Sequence, residues 1–203
     1  EKASASAIQE GGAGAPPGSI AILYEDKDYK GNVLNIKGDV SDLGAVNFKA
    51  TSSFRINNGY VATLYEHKDF KGNCFSDVIS RPDLSKIEFE SGTTMNDAVS
   101  SVKVSNFKGA VMYASKDFQG LSSYYEADDN KFDDDCGGNK VSSIRVASGY
   151  RAILFKDVDF NGVSGDANCN DNNIRCVDND IANLESIGFN DEPSSIKIVK
   201  KSP

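Results

Sequence analysis

The chain has 203 residues, a net charge of −8, 39% hydrophobic residues and no tryptophan. This composition provides enough apolar residues for a buried core and excludes a chain that is disordered by composition. The acidic balance repels phosphate backbones and argues against a nucleic-acid partner. No apolar run approaches the roughly 20 residues that a membrane-spanning helix needs, so we expect no membrane span.

Residues 1–19 come first in the chain and consist mainly of Ala, Gly, Ser and Pro. A segment of this composition has little to bury, and we expect a flexible N-terminal tail. The folded part of the chain is therefore expected from residue 20 onward.

A repeated hairpin signature follows the tail. Each copy has an aromatic residue, four intervening residues, a second aromatic residue, one further residue and a glycine. The copies are Tyr24–Gly31, Tyr65–Gly72, Tyr113–Gly120 and Phe155–Gly162. Each copy follows a short apolar run, which predicts a strand that enters a tight turn. The two rings can pack on each other across the bend, and glycine allows a positive φ or a close approach to the backbone.

A serine pair closes each repeat, followed by an apolar, a basic and an apolar residue. The pairs are Ser52-Ser53, Ser100-Ser101, Ser142-Ser143 and Ser194-Ser195. The alternation predicts a strand with one buried face. A serine hydroxyl at its start can hydrogen-bond the folded hairpin and join the two ends of the repeat.

These elements define repeat units at 20–57, 60–105, 109–147 and 150–199. The longest spacing between hairpin glycines lies in the middle of the chain, which predicts two domains, 20–105 and 109–200. The second and fourth repeats alone follow a Gly-Tyr pair, so the order is A-B, A-B. Helix is expected only as short turns, for example around 82–87 and 180–186.

The cysteines are four in number and form no CxxC pair, and His67 is the single histidine. This set argues against a zinc site. Cys169 and Cys176 are separated by six residues, close enough for a local disulfide, and reduced thiols are the alternative.

The hairpin signature followed by a serine before a strand resembles the Greek-key signature of the βγ-crystallin superfamily, across all four repeats. The resemblance implies an all-β fold of two Greek-key β-sandwich domains. Many microbial and invertebrate members of that family bind calcium through the motif Asn/Asp-Asn/Asp-x-x-Ser/Thr-Ser. Asn96–Ser101 and Asn190–Ser195 match this motif in full, whereas residues 138–143 keep one of its two Asn/Asp positions and residues 48–53 keep neither.

The resemblance also implies the ligand sets, in which one motif lends an oxygen from the hairpin of the other. The first set is Asp97, the carbonyl of Ala98, Ser100 and an oxygen of Glu25, with Asn96 bracing the loop. The second is Asp191, the carbonyl of Glu192, Ser194 and the carbonyl of Ala114, with Asn190 in support. A third, weaker candidate is Asn139, the carbonyl of Lys140, Ser142 and the hairpin at Lys156, whose lysines would repel a cation. We therefore expect two Ca²⁺ sites and a third candidate, and no site in the first repeat's own loop.

Several alternatives to a calcium site remain open. An Asn-Asp pair before Ser-Ser also fits an Asx-type turn that enters a strand. Residues 157–168 imitate the start of an EF-hand loop but have Asn168 at its twelfth position, so we reject that reading. His67 lies in a charged hairpin and has no histidine partner, which argues against a catalytic triad and an enzyme. The remaining hypotheses are a non-enzymatic calcium-binding protein, a structural protein with vestigial sites, and an interaction protein of the toxin or inhibitor type.

Overall fold

A computed structural model describes residues 5–10, 18–48, 50–89, 92–132, 136, 140–160, 169 and 171–202, with residues 5–10 as backbone only. The chain forms two compact units, Glu1–Asn106 and Phe107–Pro203. Within the described residues all helices are short 3₁₀ turns. No helix in this part of the chain is long and apolar enough to cross a membrane.

The first unit contains seven strands and three 3₁₀ turns. The strands are β1 (Ala5–Glu10), β2 (Ala21–Asp26), β3 (Lys30–Ile36), β4 (Ser53–Ile56), β5 (Tyr60–His67), β6 (Lys71–Asp77) and β7 (Ser101–Asn106). The turns are Lys27–Tyr29, Gly44–Val46 and Leu84–Lys86. The last of these lies within the predicted helical turn at 82–87.

The second unit repeats this arrangement. Its strands are β8 (Ala110–Ser115), β9 (Gln119–Tyr125), β10 (Ser143–Val146), β11 (Tyr150–Phe155), β12 (Ile174–Val177) and β13 (Ser195–Lys200). Its 3₁₀ turns are Lys116–Phe118, Val158–Phe160 and Leu184–Ile187.

The strand order makes each motif a Greek key. In the first unit β2 lies between β3 and β4, and β5 lies between β6 and β7, all antiparallel. Val40, which follows β3, pairs with Val102 in β7, and Arg81, which follows β6, pairs with Phe54 in β4. Each motif therefore adds a short segment to the sheet of the other, and the two motifs of a unit fold together.

The second unit has the same exchange. Here β8 lies between β9 and β10, and β11 lies between β12 and β13. Asp129 pairs with Ile196 in β13, and Ile181 pairs with Ile144 in β10. The predicted all-β fold, with Greek-key motifs in A-B, A-B order, is confirmed.

Each unit has its own apolar core between its two sheets. In the first unit the fully buried side chains include Leu23, Leu64, Phe75, Leu84 and Met95. The core of the second unit includes Met112, Phe132, Leu154, Phe189 and Ile196. Burial on this scale is the main stabilising term of a small β domain.

The hairpins cover the outer face of each sheet, which explains why the strands before them are apolar on both faces. Tyr24 and Tyr29 meet edge to face with 5.6 Å between ring centroids, and Ile22 and Val33 pack in the same cluster. The other three hairpins repeat the ring pair at 5.5–5.8 Å. The predicted packing of the two aromatic residues is confirmed in all four.

The hairpin turn requires a left-handed backbone at two successive residues. In the second hairpin Asp69 and Phe70 have φ of 57° and 60°, and Gly72 has φ of 78°. A Cβ at Gly72 would lie 2.7 Å from Cδ2 of the exposed His67 ring, so only glycine fits without a shift of that ring. The glycine of the fourth hairpin, Gly162, lies outside the described residues.

The second serine of each pair closes the hairpin, as predicted. The buried Ser101 hydroxyl donates to the His67 carbonyl at 2.6 Å and accepts from the Phe70 amide at 3.1 Å. Ser53, Ser143 and Ser195 donate in the same way to the carbonyls of Asp26, Ser115 and Asp157.

The N-terminal segment differs from the expected tail. Ala5–Glu10 forms β1, which pairs antiparallel with β3 at the edge of the first sheet. The expectation of a flexible tail over residues 1–19 is therefore wrong for residues 5–10. The physical reason is that an edge strand such as β3 offers unpaired backbone N–H and C=O groups, which bind an extended segment whatever its side chains.

Of the two states that the sequence left open for Cys169 and Cys176, the structure has the disulfide. Cys169 and Cys176 are bonded, with 5.3 Å between their Cα atoms. Cys176 lies in β12 opposite Ile153, so the bond attaches Cys169 to the sheet.

Candidate metal centre

The second and fourth motifs each carry an Asn-Asp pair in a loop that is anchored on both sides by buried residues. Met95 and Val99 flank Asn96-Asp97, and both side chains are buried. Phe189 and Pro193 flank Asn190-Asp191 in the same way. Because the anchors face the core, the polar pair is held at the surface in a fixed loop.

The two loops have the same internal geometry. Asp97 and Asp191 have φ of 56° and 54°, a left-handed conformation that Asp adopts more readily than most residues. In each loop the Asn Nδ2 donates to Oδ2 of the following Asp at 2.7 Å. In both loops the Asn side chain therefore contacts the carboxylate that follows it.

Each aspartate faces the first motif of its own unit. The Asp97 amide donates to the Thr51 carbonyl at 3.0 Å, and Oδ1 of Asp97 accepts from the Ser52 hydroxyl at 3.0 Å. In the second unit the Asp191 amide donates to the Val141 carbonyl at 2.9 Å, and the Ser142 hydroxyl lies 3.5 Å from Oδ1 of Asp191. The carboxylate of one motif thus meets the first serine of the other.

Both loops contain an amide oxygen without a partner. Oδ1 of Asn96 and Oδ1 of Asn190 are shielded from solvent and accept no hydrogen bond. A buried polar oxygen without a donor costs free energy unless something else satisfies it. A cation is one such group, because Ca²⁺ coordinates amide, carboxylate, hydroxyl and carbonyl oxygens.

The hairpin residues predicted to lend an oxygen lie at irregular steps of the strand ladder. The β2–β3 register shifts between Tyr24 and Asp26, and the β8–β9 register shifts between Tyr113 and Ser115. Glu25 and Ala114 are the residues skipped. The Glu25 carboxylate accepts from Nδ2 of Asn32 at 2.7 Å within its own hairpin, so its side chain already has a partner.

The backbone fixes the first serine of the pair in the second and fourth motifs. The Ser100 amide donates to the Tyr65 carbonyl, and the Ser194 amide donates to the Phe155 carbonyl, both at 2.8 Å. Neither hydroxyl has a hydrogen bond within the described part of the chain. Ala98 is half-buried and Glu192 is exposed, each directly after its aspartate.

The structure describes three residues of the third, weaker candidate, Lys140, Ser142 and Lys156. Asn139 lies outside the described residues, and Lys140 is exposed. Ser142 faces Asp191, and Nζ of Lys156 lies 3.1 Å from the Glu192 carboxylate. Both residues therefore contact the fourth motif's loop.

One serine that contacts an aspartate, Ser52, was missed by the sequence reasoning, and another, Ser142, was assigned to a different site. Ser52 belongs to a loop for which we expected no site, and Ser142 had been grouped with Asn139. The first serine is present in all four pairs, including the two A-type loops that have lost part of the Asn/Asp motif. That persistence was the signal that the serine serves the neighbouring motif.

The charge in these loops is low. Across the described ranges no three His, Cys, Asp or Glu side chains cluster as a metal site. An ion at either loop would depend on one aspartate together with hydroxyl, amide and backbone oxygens, which are ligands that suit a hard cation such as Ca²⁺ and not a soft metal.

Comparisons with known proteins agree with the fold. The family model described as Beta/Gamma crystallin matches residues 20–105. The matched residues lie within the first unit, and the second unit repeats its Greek-key motifs. Among curated proteins no sequence matches this chain significantly.

Several solved structures are similar to part or most of this chain. A βγ-crystallin domain from Flavobacterium johnsoniae is 27% identical, with 43% of this chain and 94% of that chain covered and a TM-score of 0.37. A βγ-crystallin from Ciona intestinalis is 27% identical, with 41% and 95% covered and a TM-score of 0.35. The solution structure of Protein S complexed with calcium is 22% identical, with 89% and 99% covered and a TM-score of 0.41.

Proposed function

We propose that this chain is a non-enzymatic calcium-binding protein with one Ca²⁺ site in each unit, and that bound calcium stabilises the fold. The first site would use Asp97, the carbonyl of Ala98, Ser100, an oxygen of Glu25 and, in addition, the Ser52 hydroxyl. The second would use Asp191, the carbonyl of Glu192, Ser194, the Ala114 carbonyl and the Ser142 hydroxyl. Asn96 and Asn190 orient the carboxylates through Nδ2, and each would offer its unpaired Oδ1 to the ion.

The observation that carries this proposal is that the same loop geometry occurs twice, each time with an Asn side-chain oxygen that accepts no hydrogen bond. Two loops with different flanking sequences hold a left-handed aspartate against a serine of the partner motif, and both leave a shielded amide oxygen without a donor. An Asx turn alone would satisfy its side chain locally. A cation that is coordinated by oxygen atoms in both loops explains the repetition.

Calcium would act on stability by joining the two motifs of a unit. Asp97 and Ser52 belong to different motifs, so an ion that binds both opposes their separation. Because the unfolded chain does not bring these oxygens together, the ion stabilises only the folded state. Linkage gives about 2.7 kcal/mol at a hundredfold excess over the dissociation constant.

A structural role with vestigial sites is the second candidate, and a specific observation favours it. Both carboxylate oxygens of Asp97 already accept hydrogen bonds, from Asn96 and from Ser52. The loop therefore has internal partners that would hold it without an ion. In that case calcium would change neither the melting temperature nor the heat of titration.

The experiment compares Tm with and without calcium for the parent chain and for Asp97→Ala with Asp191→Ala. We expect Tm of the parent to rise with calcium and Tm of the double variant to stay constant. Glu88→Ala with Glu126→Ala is the matched control, since it also removes one exposed carboxylate from each unit and should keep the response. An unresponsive parent would support the structural role.

A further inference from the structure

The second proposed site has a lysine ammonium group beside its loop. Nζ of Lys156 lies 3.1 Å from the Glu192 carboxylate and 5.5 Å from the centroid of the Phe189 ring. Phe189 and Glu192 are the residues on either side of Asn190-Asp191. The ammonium group therefore contacts both flanks of the pair that carries the second site.

The corresponding positions of the first unit carry no basic residue. The position that corresponds to Lys156, directly after the first hairpin aromatic, is Glu66, and the position that corresponds to Glu192 is Ala98. Glu66 accepts from Nδ2 of Asn73 at 2.8 Å within its own hairpin. Within the described residues no lysine or arginine forms an ion pair with the loop at residues 96–101.

We propose that the Lys156–Glu192 ion pair lowers the calcium affinity of the second unit, so that the two units fill at different calcium concentrations. This inference rests on the proposed calcium function. The ammonium repels the incoming cation directly. It also neutralises the one carboxylate, Glu192, that would otherwise add to the attraction of Asp191.

The size of the effect follows from the distance. We take a separation of about 8 Å between the Lys156 ammonium and an ion held by Asp191. A unit charge at that distance from a divalent ion, in a dielectric close to that of water, changes a binding constant about fivefold. Salt screens such an interaction, because the Debye length falls to about 3 Å at 1 M ionic strength.

The test uses the full chain with Asp97→Ala, so that only the second unit binds, and titrates it with calcium by calorimetry. Lys156→Met keeps an unbranched side chain against Phe189 and removes the charge, and we expect about fivefold tighter binding. Glu192→Gln leaves the lysine without its counter-charge, and we expect weaker binding. Both changes should shrink in 1 M KCl.

Lys200→Met is the matched control, because it removes an exposed lysine from the same unit and should leave the affinity unchanged. Equal affinity in Lys156→Met and its parent, or a change of the same sign in both charge variants, would overturn the inference. A parent chain that binds calcium while the Asp97→Ala chain does not would overturn it as well. A parent chain without any heat of binding would instead refute the calcium function itself.

Discussion

Replacing Ser101 by alanine tests the serine that closes the second hairpin. The hydroxyl is fully buried and makes two hydrogen bonds, to the His67 carbonyl at 2.6 Å and from the Phe70 amide at 3.1 Å. Alanine leaves both backbone groups without a partner, at a cost of about 1–3 kcal/mol for each group that water does not reach. Because His67 itself is exposed, water can solvate part of the turn, and we expect a total loss of about 2–3 kcal/mol.

The measurement is the free energy of unfolding of the first unit, obtained by chemical denaturation of the calcium-free chain. A loss of this size lowers Tm of a domain of about 100 residues by roughly 10 °C. Ser105→Ala is the control, since Ser105 is only half-buried and its one side-chain hydrogen bond is 3.5 Å long, and it should have little effect. A loss below about 0.5 kcal/mol for Ser101→Ala would contradict the closing role, because it is the size of an ordinary surface change.

Two further predictions concern charges. Arg145 lies 3.8 Å from the Phe118 ring centroid and pairs with Asp180, so Arg145→Met should cost about 1–2 kcal/mol in denaturation. Lys103→Met should cost about 0.5 kcal/mol, because Lys103 contacts the Tyr65 and Phe70 rings and forms no ion pair among the described residues; equal losses would contradict this. A hydrogen bond from the Ser85 hydroxyl lowers the pKa of Asp83, and one from Arg151 lowers that of Asp178. A lowered pKa in the folded state stabilises the fold at pH values above the unfolded pKa, and this stabilisation is lost as the pH falls through the folded pKa. Tm should therefore be constant from about pH 7 to 5 and fall below about pH 4. Asp178→Asn should make the acid fall shallower.

The fold was predictable because its signals are local and repeated. In the second motif the two aromatic residues and the glycine lie together in the hairpin Tyr65–Gly72, and the closing serine, Ser101, begins a strand. The physical role of each position can be inferred from its residue type. The repeats then confirm each other. The exchange of Val40 and Arg81 between motifs was not predictable, because each pairs with a strand far away in sequence and carries no local mark.

The basic residue in the last strand of each motif makes a contact that the alternation of apolar and basic residues did not predict. Its position predicted only a solvent-facing side chain. Arg55, Lys103, Arg145 and Lys197 instead lie 3.8–4.8 Å from the centroid of the second hairpin aromatic of their own motif. The charge thus covers the ring that the hairpin leaves near the surface, which explains why this position is basic in all four repeats.

The candidate site was predictable in its residue types and less so in its grouping. The Asn-Asp pairs and the serines were recognisable from the motif. Asp97 was grouped with the serine of its own loop, whereas its carboxylate meets Ser52 of the first motif. That pairing depends on how the two motifs dock, and docking is a tertiary property. The β1 strand was missed for the same reason, since its stability comes from the edge of β3 and not from its own side chains.

A calcium titration of the full chain by calorimetry tests directly whether each unit binds one ion. We predict two bound ions per chain, one ion in either single variant, Asp97→Ala or Asp191→Ala, and none in the double variant. No heat of binding by the parent, or a stoichiometry that the two substitutions leave unchanged, would contradict it.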